Sequence, residues 1–148
     1  MKTQVHLSHS ENETIQYAKN FSKSLKPGTV VALRGDLGSG KTTFIKGVAL
    51  GLGAKKADDI KSPTFAIMHI YKSKIPLIHF DLYRLESEKE IANIGFEEMV
   101  ADPKVVTCIE WAERAKSLMP KAYWSVFLET TGPEDRRITL EKVKVDRK

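Results

Sequence analysis

Long apolar runs are missing from these 148 residues, and so are paired cysteines. No stretch approaches the roughly 20 consecutive apolar residues that a membrane-spanning helix needs. A lone cysteine, Cys108, excludes a disulfide framework within the chain. Set inside Val105-Val106-Thr107-Cys108-Ile109, it reads as a small buried hydrophobe in a reducing compartment and not as a nucleophile. Met1 to His6 shows no apolar core of a secretory leader, so the expectation is a cytoplasmic protein with no membrane contact. Internal repeats and low-complexity tracts are absent too.

What is present is enough for one good core. With 41% hydrophobic residues the chain is expected to form a single domain over residues 1–148, with no room for a sizeable second one. A formal charge of +5 permits contact with a polyanion, and the segment from Arg136-Arg137 to Arg147-Lys148 is locally basic. No aromatic-studded recognition motif accompanies it, and basic residues on their own commonly form a solvated face.

The most informative stretch is Val30-Val31-Ala32-Leu33-Arg34-Gly35-Asp36-Leu37-Gly38-Ser39-Gly40-Lys41-Thr42-Thr43. Its second half has the spacing of a phosphate-binding loop: Gly, four residues, Gly-Lys-Thr. Glycines let backbone N–H groups converge on a polyphosphate, and the helix that follows presents its positive end to the same anion. The residues from Asp36 to Thr43 (Asp36, Leu37, Gly38, Ser39, Gly40, Lys41, Thr42 and Thr43) are the candidate nucleotide contacts. Lys41 would reach the terminal phosphates and the Thr42 hydroxyl would ligate Mg2+. A tight turn has similar composition, but here an apolar strand enters the loop and a helical pattern, Phe44, Val48 and Leu52, leaves it.

Around this loop the pattern predicts a short strand at Gln4–Leu7 and an amphipathic helix over residues 11 to 25, opened by Ser10 and Glu13 at capping-box spacing. Pro27-Gly28 ends it, and Thr29 to Leu33 reads as a strand buried on both faces. A helix from Lys41 to about Leu50 should close at Gly51 or Gly53. Lys55 to Lys61 reads as a loop, followed by Ser62-Pro63-Thr64-Phe65, where the Thr64 hydroxyl could face the phosphates. Ala66–Tyr71 and Leu77–Leu82 are joined by too short a link for a parallel crossover, which makes them antiparallel. Ser87 and Glu90 cap helical turns interrupted at Gly95. Val105–Ile109 should be a parallel strand beside the one feeding the phosphate loop, and Glu113–Leu118 should be helical. Tyr123–Leu128 and Arg137–Val145 read as a terminal hairpin. There the apolar phase shifts from Ile138 and Leu140 to Val143 and Val145, which predicts a bulge or strand end near Glu141-Lys142.

A phosphate loop binds; hydrolysis also needs an acid beside the metal and an attacking group in line. Glu110 and Asp81, each near a strand end, compete for the first role, and either would serve equally as an ion-pair partner. Trp111 is a core aromatic or a nucleotide contact. His79 and Tyr83 need no role beyond packing and hydrogen bonding.

Four blocks in order, Gly35 to Phe44, Ser62-Pro63-Thr64-Phe65, His79-Phe80-Asp81-Leu82-Tyr83-Arg84-Leu85 and Ile109-Glu110-Trp111-Ala112-Glu113, resemble the signatures of the TsaE family. The opening helix with Glu13-Thr14 and the closing hairpin also fit. The resemblance implies a phosphate-loop ATPase fold of three layers: a mixed central sheet with a parallel core and antiparallel hairpins, and helices on both faces. It implies ATP and Mg2+ as cofactors and action with TsaB and TsaD in tRNA threonylcarbamoyladenosine synthesis on ANN-decoding tRNAs; tRNA contact through that complex and direct RNA binding by the basic carboxyl end both stay open. By resemblance, Thr42 and Glu110 take Mg2+, Lys41, Asp81 and Glu110 are catalytic, Ser62 to Thr64 face the phosphates, and Trp111 lies near the nucleotide. Ser39 and Ala112 depart from the family's common alanine and proline, and neither change touches the backbone contacts.

Two other readings share the loop. A small-molecule kinase would need an arginine-bearing lid, for which the chain has no insertion. A GTP-dependent switch would need an Asn-Lys-x-Asp segment, and Asn12, Asn20 and Asn93 all lack it. No arginine finger is evident, so low intrinsic turnover raised by a partner is the expectation.

Overall fold

A computed structural model describes residues 3–36, 38–55 and 67–145. Seven strands form one mixed sheet: β1 (Thr3–Ser8), β2 (Val30–Arg34), β3 (Met68–Tyr71), β4 (Leu77–Asp81), β5 (Val106–Glu110), β6 (Ala122–Thr130) and β7 (Arg136–Lys144), in the order β1-β7-β6-β2-β5-β4-β3. The core is parallel, with β2 between β5 and β6 and β4 beyond β5. Antiparallel pairs close both ends, β3 on β4 and β6 on β7 on β1. The short link to β4 and the unbroken apolar run in β5 therefore give the pairings that their length and composition predict.

Helices cover both faces. α1 (Glu11–Ser22) and α2 (Lys41–Gly51) pack on one, with Ala18, Phe44, Ile45 and Val48 buried against Val31, Leu33, Val126 and Ile138. α3 (Glu88–Asn93), α4 (Phe96–Val100) and a 3-10 segment (Ala112–Leu118) cover the other, enclosing Ile78, Phe80, Ile91, Phe96 and Ile109. Gly95, at φ 81°, separates α3 from α4 as its sequence context predicts. Both caps form: the Glu13 N–H donates to Ser10 Oγ at 3.1 Å, and the Glu90 N–H to Ser87 Oγ at 3.2 Å. The Glu13 carboxylate reaches back to the His9 N–H at 2.8 Å, one residue before the cap itself.

The expected bulge is not there. Every pair from Ala122↔Lys144 to Thr130↔Arg136 is in regular register. Ile138 and Leu140 face α1 and α2, whereas Val143, opposite Tyr123, turns to the second face, where Tyr123 packs on the other core. A sheet with apolar partners on both sides lets the hydrophobic phase change within a straight strand. On the first face Lys142 lays its ammonium over the Trp124 ring, 5.2 Å from its centre, so that position stays covered without an apolar residue.

Two glycines in α2 set how closely it meets α1. A Cβ on Gly47 would collide with the Ile15 carbonyl oxygen and lie 2.6 Å from Ala18 Cβ; one on Gly51 would strike Ser22 Oγ. Gly53, not Gly51, takes the left-handed closing conformation, at φ 109°. Gly47→Ala should push the helices apart and cost about 1–3 kcal/mol of stability, read as a lowered denaturation midpoint with unchanged slope.

Candidate active site

Parallel strands bring their C-terminal ends to one edge of the sheet, which is where α/β proteins bind ligands. β2 runs into the phosphate loop there, β4 ends at Asp81 and β5 at Glu110, with Asp81 and Glu110 side by side in register. Alternation along β4 and β5 puts His79, Asp81 and Glu110 on the face that α2 covers, because Leu77, Val106 and Cys108 of the same phase belong to that core.

A cavity of about 640 Å³ opens at this edge. Gly38, Gly40, Lys41, Thr42 and Thr43 line it from the loop, and Asp81, Glu110 and Trp111 from the strand ends. Eight of the candidate site residues thus come together, Gly38 and Gly40 supplying backbone: they have φ of 79° and 100°, values that side chains disfavour. Asp36 is exposed outside the lining. Ser39 is buried beneath the loop, its hydroxyl without a partner among the described residues, next to Gly35, whose missing Cβ would touch it. Leu37 and Ser62 to Phe65, Thr64 included, lie outside the described residues, as do the last three residues of the basic end.

Lys41 is nearly buried; its ammonium donates to the Gly35 carbonyl at 2.8 Å and lies 4.7 Å from the centre of the Trp111 ring. The cation is thus held by the loop it serves. Trp111 is the one described non-glycine residue at positive φ, 61°, a conformation costing about 1–3 kcal/mol that the surrounding packing must hold in place. Its ring meets Tyr83 at 5.0 Å, and the Arg114 guanidinium lies 5.6 Å from Trp111 and 5.7 Å from Tyr83.

The Asp81 carboxyl is held above its ordinary value of 3.8, chiefly by burial and further by the negative Glu110; the Tyr83 N–H, which donates to Asp81 Oδ1 at 3.1 Å, and the nearby His79 and Lys41 pull the other way. With the folded value raised, the contribution of Asp81 to stability is whole below 3.8 and is lost as pH rises through the folded value. Asp81→Asn, which keeps the acceptor for Tyr83, should therefore make the ligand-free protein more stable near neutral pH. The gain should be under about 1 kcal/mol, since water still reaches the group, and should vanish below pH 4. Denaturant melts at two pH values check the sign. Cys108 is fully buried and its thiol is pushed up by that burial, consistent with an inert core residue.

Two participants escape sequence reading. Arg136, the first residue of β7, donates to the carbonyls of Ser39 and Gly38, both at 3.1 Å, and to those of Gly132 at 3.2 Å and Asp135 at 2.8 Å. One guanidinium ties the phosphate loop to the β6–β7 turn across 97 residues of chain. Arg137 pairs with Glu129 at 3.8 Å, so part of the basic stretch has work within the molecule. The second participant is a further part of the cavity's lining, made by Ser10, Glu11 and Thr14 together with Pro133 and Glu134. No local signal marks either; register and topology do.

A glycine loop between a parallel strand and a helix, with two strand-end carboxylates facing it, defines a phosphate-loop nucleotide-binding α/β protein. A family model described as "Threonylcarbamoyl adenosine biosynthesis protein TsaE" matches residues 8–138. The chain belongs to the TsaE family and so to tRNA threonylcarbamoyladenosine biosynthesis. It is 37% identical over 134 residues to the TsaE protein of Treponema pallidum, covering 90% of this chain and 97% of that one. With TsaE of Bacillus subtilis it is 39% identical over 132 residues, 88% of this chain and 80% of that one. The solved structure of Bacillus subtilis YdiB superposes with a TM-score of 0.77 at 31% identity, covering 97% of this chain and 86% of the other. Among the described residues no helix is long and apolar enough to cross a membrane.

Proposed function

We propose that this protein is an Mg2+-dependent ATPase, working as one domain in the cytoplasm, that supports repeated turnover of threonylcarbamoyl transfer to ANN-decoding tRNAs by TsaB and TsaD, and that its contact with tRNA is made through that complex. The observation that carries the reading is the convergence of Lys41, Thr42, Asp81 and Glu110 on one cavity. Its donor set suits the metal: a hydroxyl and strand-end carboxylates are hard oxygen ligands, and Mg2+ is commonly held by one or two such groups plus substrate phosphates. Two adjacent carboxylates, one of them raised in part by the other, are also a charge arrangement that a divalent cation relieves.

In this reading Thr42 and Glu110 hold the metal, which when bound neutralises charge on the phosphates. The loop N–H groups and the start of α2 orient the polyphosphate. Lys41 exchanges the Gly35 carbonyl for the terminal phosphate, Asp81 orients the attacking water, and Trp111 packs beside the nucleotide. The wall formed by Ser10, Glu11, Pro133 and Glu134 is the space left for the nucleoside. The test is reconstituted tRNA modification with limiting TsaB and TsaD. Product should exceed the amount of complex only when this protein and hydrolysable ATP are both present, and ATP hydrolysis should rise when the complex is added. Multiple turnovers with a non-hydrolysable analogue would refute the scheme.

A further inference from the structure

His79 lies in the middle of β4 with no exposed surface, and its Nε2 is 2.6 Å from Glu110 Oε2, a carboxylate oxygen on the neighbouring strand. A carboxylate can only accept, so Nε2 carries the proton. Nδ1 has no partner among the described residues, which leaves Glu110 as the one polar group there that the imidazole serves. Packing alone does not account for this ring, since an apolar residue would fill the site without a buried nitrogen to satisfy.

We infer that His79 is a positioning residue for the divalent cation, acting through Glu110. By binding Oε2 it commits one carboxylate oxygen to the protein and turns the other toward the cavity that Glu110 lines. The donor matters because Asp81, in register beside Glu110, pushes the carboxylate by like-charge repulsion. A carboxylate between a repelling neighbour and a fixed donor has one preferred direction; without the donor it has several, and ordering it falls to the metal. Hydrogen-bond partners of metal ligands typically contribute about 10- to 100-fold in metal affinity. The inference rests on the Mg2+-ATP reading of the cavity.

The experiment compares calorimetric ATP affinity with Mg2+ and with EDTA, for the wild-type protein and for His79→Leu and His79→Gln. His79→Leu should lose about 10- to 100-fold of the Mg2+-dependent part of the affinity and keep its EDTA affinity. The Gln amide reaches about as far as Nε2 and should recover most of the loss. In a Glu110→Gln background, His79→Leu should change the Mg2+ dependence no further. If His79→Leu does not fold, His79→Asn, whose shorter amide falls short of Glu110, takes its place against His79→Gln. A Mg2+ effect untouched in these variants, or Mg2+ and EDTA affinities falling together, would overturn the positioning role alone. A wild-type protein that binds ATP equally with and without Mg2+ would overturn the metal reading of the cavity itself.

Discussion

Lys41→Ala is expected to lower ATP hydrolysis by about two to three orders of magnitude, the usual loss when a preorganised group facing developing phosphate charge is removed. Two features make the expectation sharp. The ammonium is nearly buried at the cavity wall, where charge is poorly screened, and its hydrogen bond is to a loop carbonyl, a partner it can exchange for phosphate. The fold should survive, because the partner left behind, the Gly35 carbonyl, sits in a loop next to solvent, where water can replace the ammonium. Trp111, 4.7 Å from the ammonium, supplies an internal probe: its emission should change on adding ATP to the wild-type protein and hardly at all in the variant. Steady-state phosphate release and tryptophan fluorescence measure the two effects. A variant that hydrolyses ATP normally would remove Lys41 from the mechanism.

Glu110→Gln should cut hydrolysis by about 100-fold or more while weakening nucleotide binding much less, because the lost charge acts on the metal and not on the loop contacts. The amide oxygen still accepts from His79, so stability should change little. Glu110→Ala should match that loss of activity and in addition destabilise the fold by about 1–3 kcal/mol, since it strands the His79 N–H in a fully buried position. The difference between the two variants separates what the carboxylate does for ligand from what it does for the core. Phosphate release and denaturant melts on both proteins provide the comparison, and normal hydrolysis by Glu110→Gln would assign the metal to another group.

Position in the sheet explains why one carboxylate was easier to read than its surroundings. Glu110 closes a five-residue strand that is buried throughout, so an acid at its end stands out against the run before it. Its partner does not stand out. His79 lies 31 residues earlier, in a strand where a histidine signals nothing, and only the β4–β5 register makes the two adjacent. Arg136 is similar: it reads as one of several basic residues, until antiparallel β7 delivers it to the phosphate loop.

By itself the sequence determined the features that local chemistry dictates. Glycine spacing dictates the phosphate loop, Ser-x-x-Glu the two helix starts, a five-residue link the antiparallel β3–β4 pair, and an unbroken apolar run the doubly buried β5. Each depends on backbone conformations or burial that neighbouring residues settle among themselves. Tertiary structure alone decided what depends on distance across the chain. It set the strand order, the parallel seating of β6 against β2, and the close approach of α1 to α2 at Gly47 and Gly51. It also straightened β7 where its hydrophobic phase suggests a break, because the sheet offers apolar partners on both faces there. The site itself divides the same way. The loop is local, whereas the cavity exists because five segments meet at one end of a parallel sheet, and the pairing of strands distant in the chain fixes which side chains meet there.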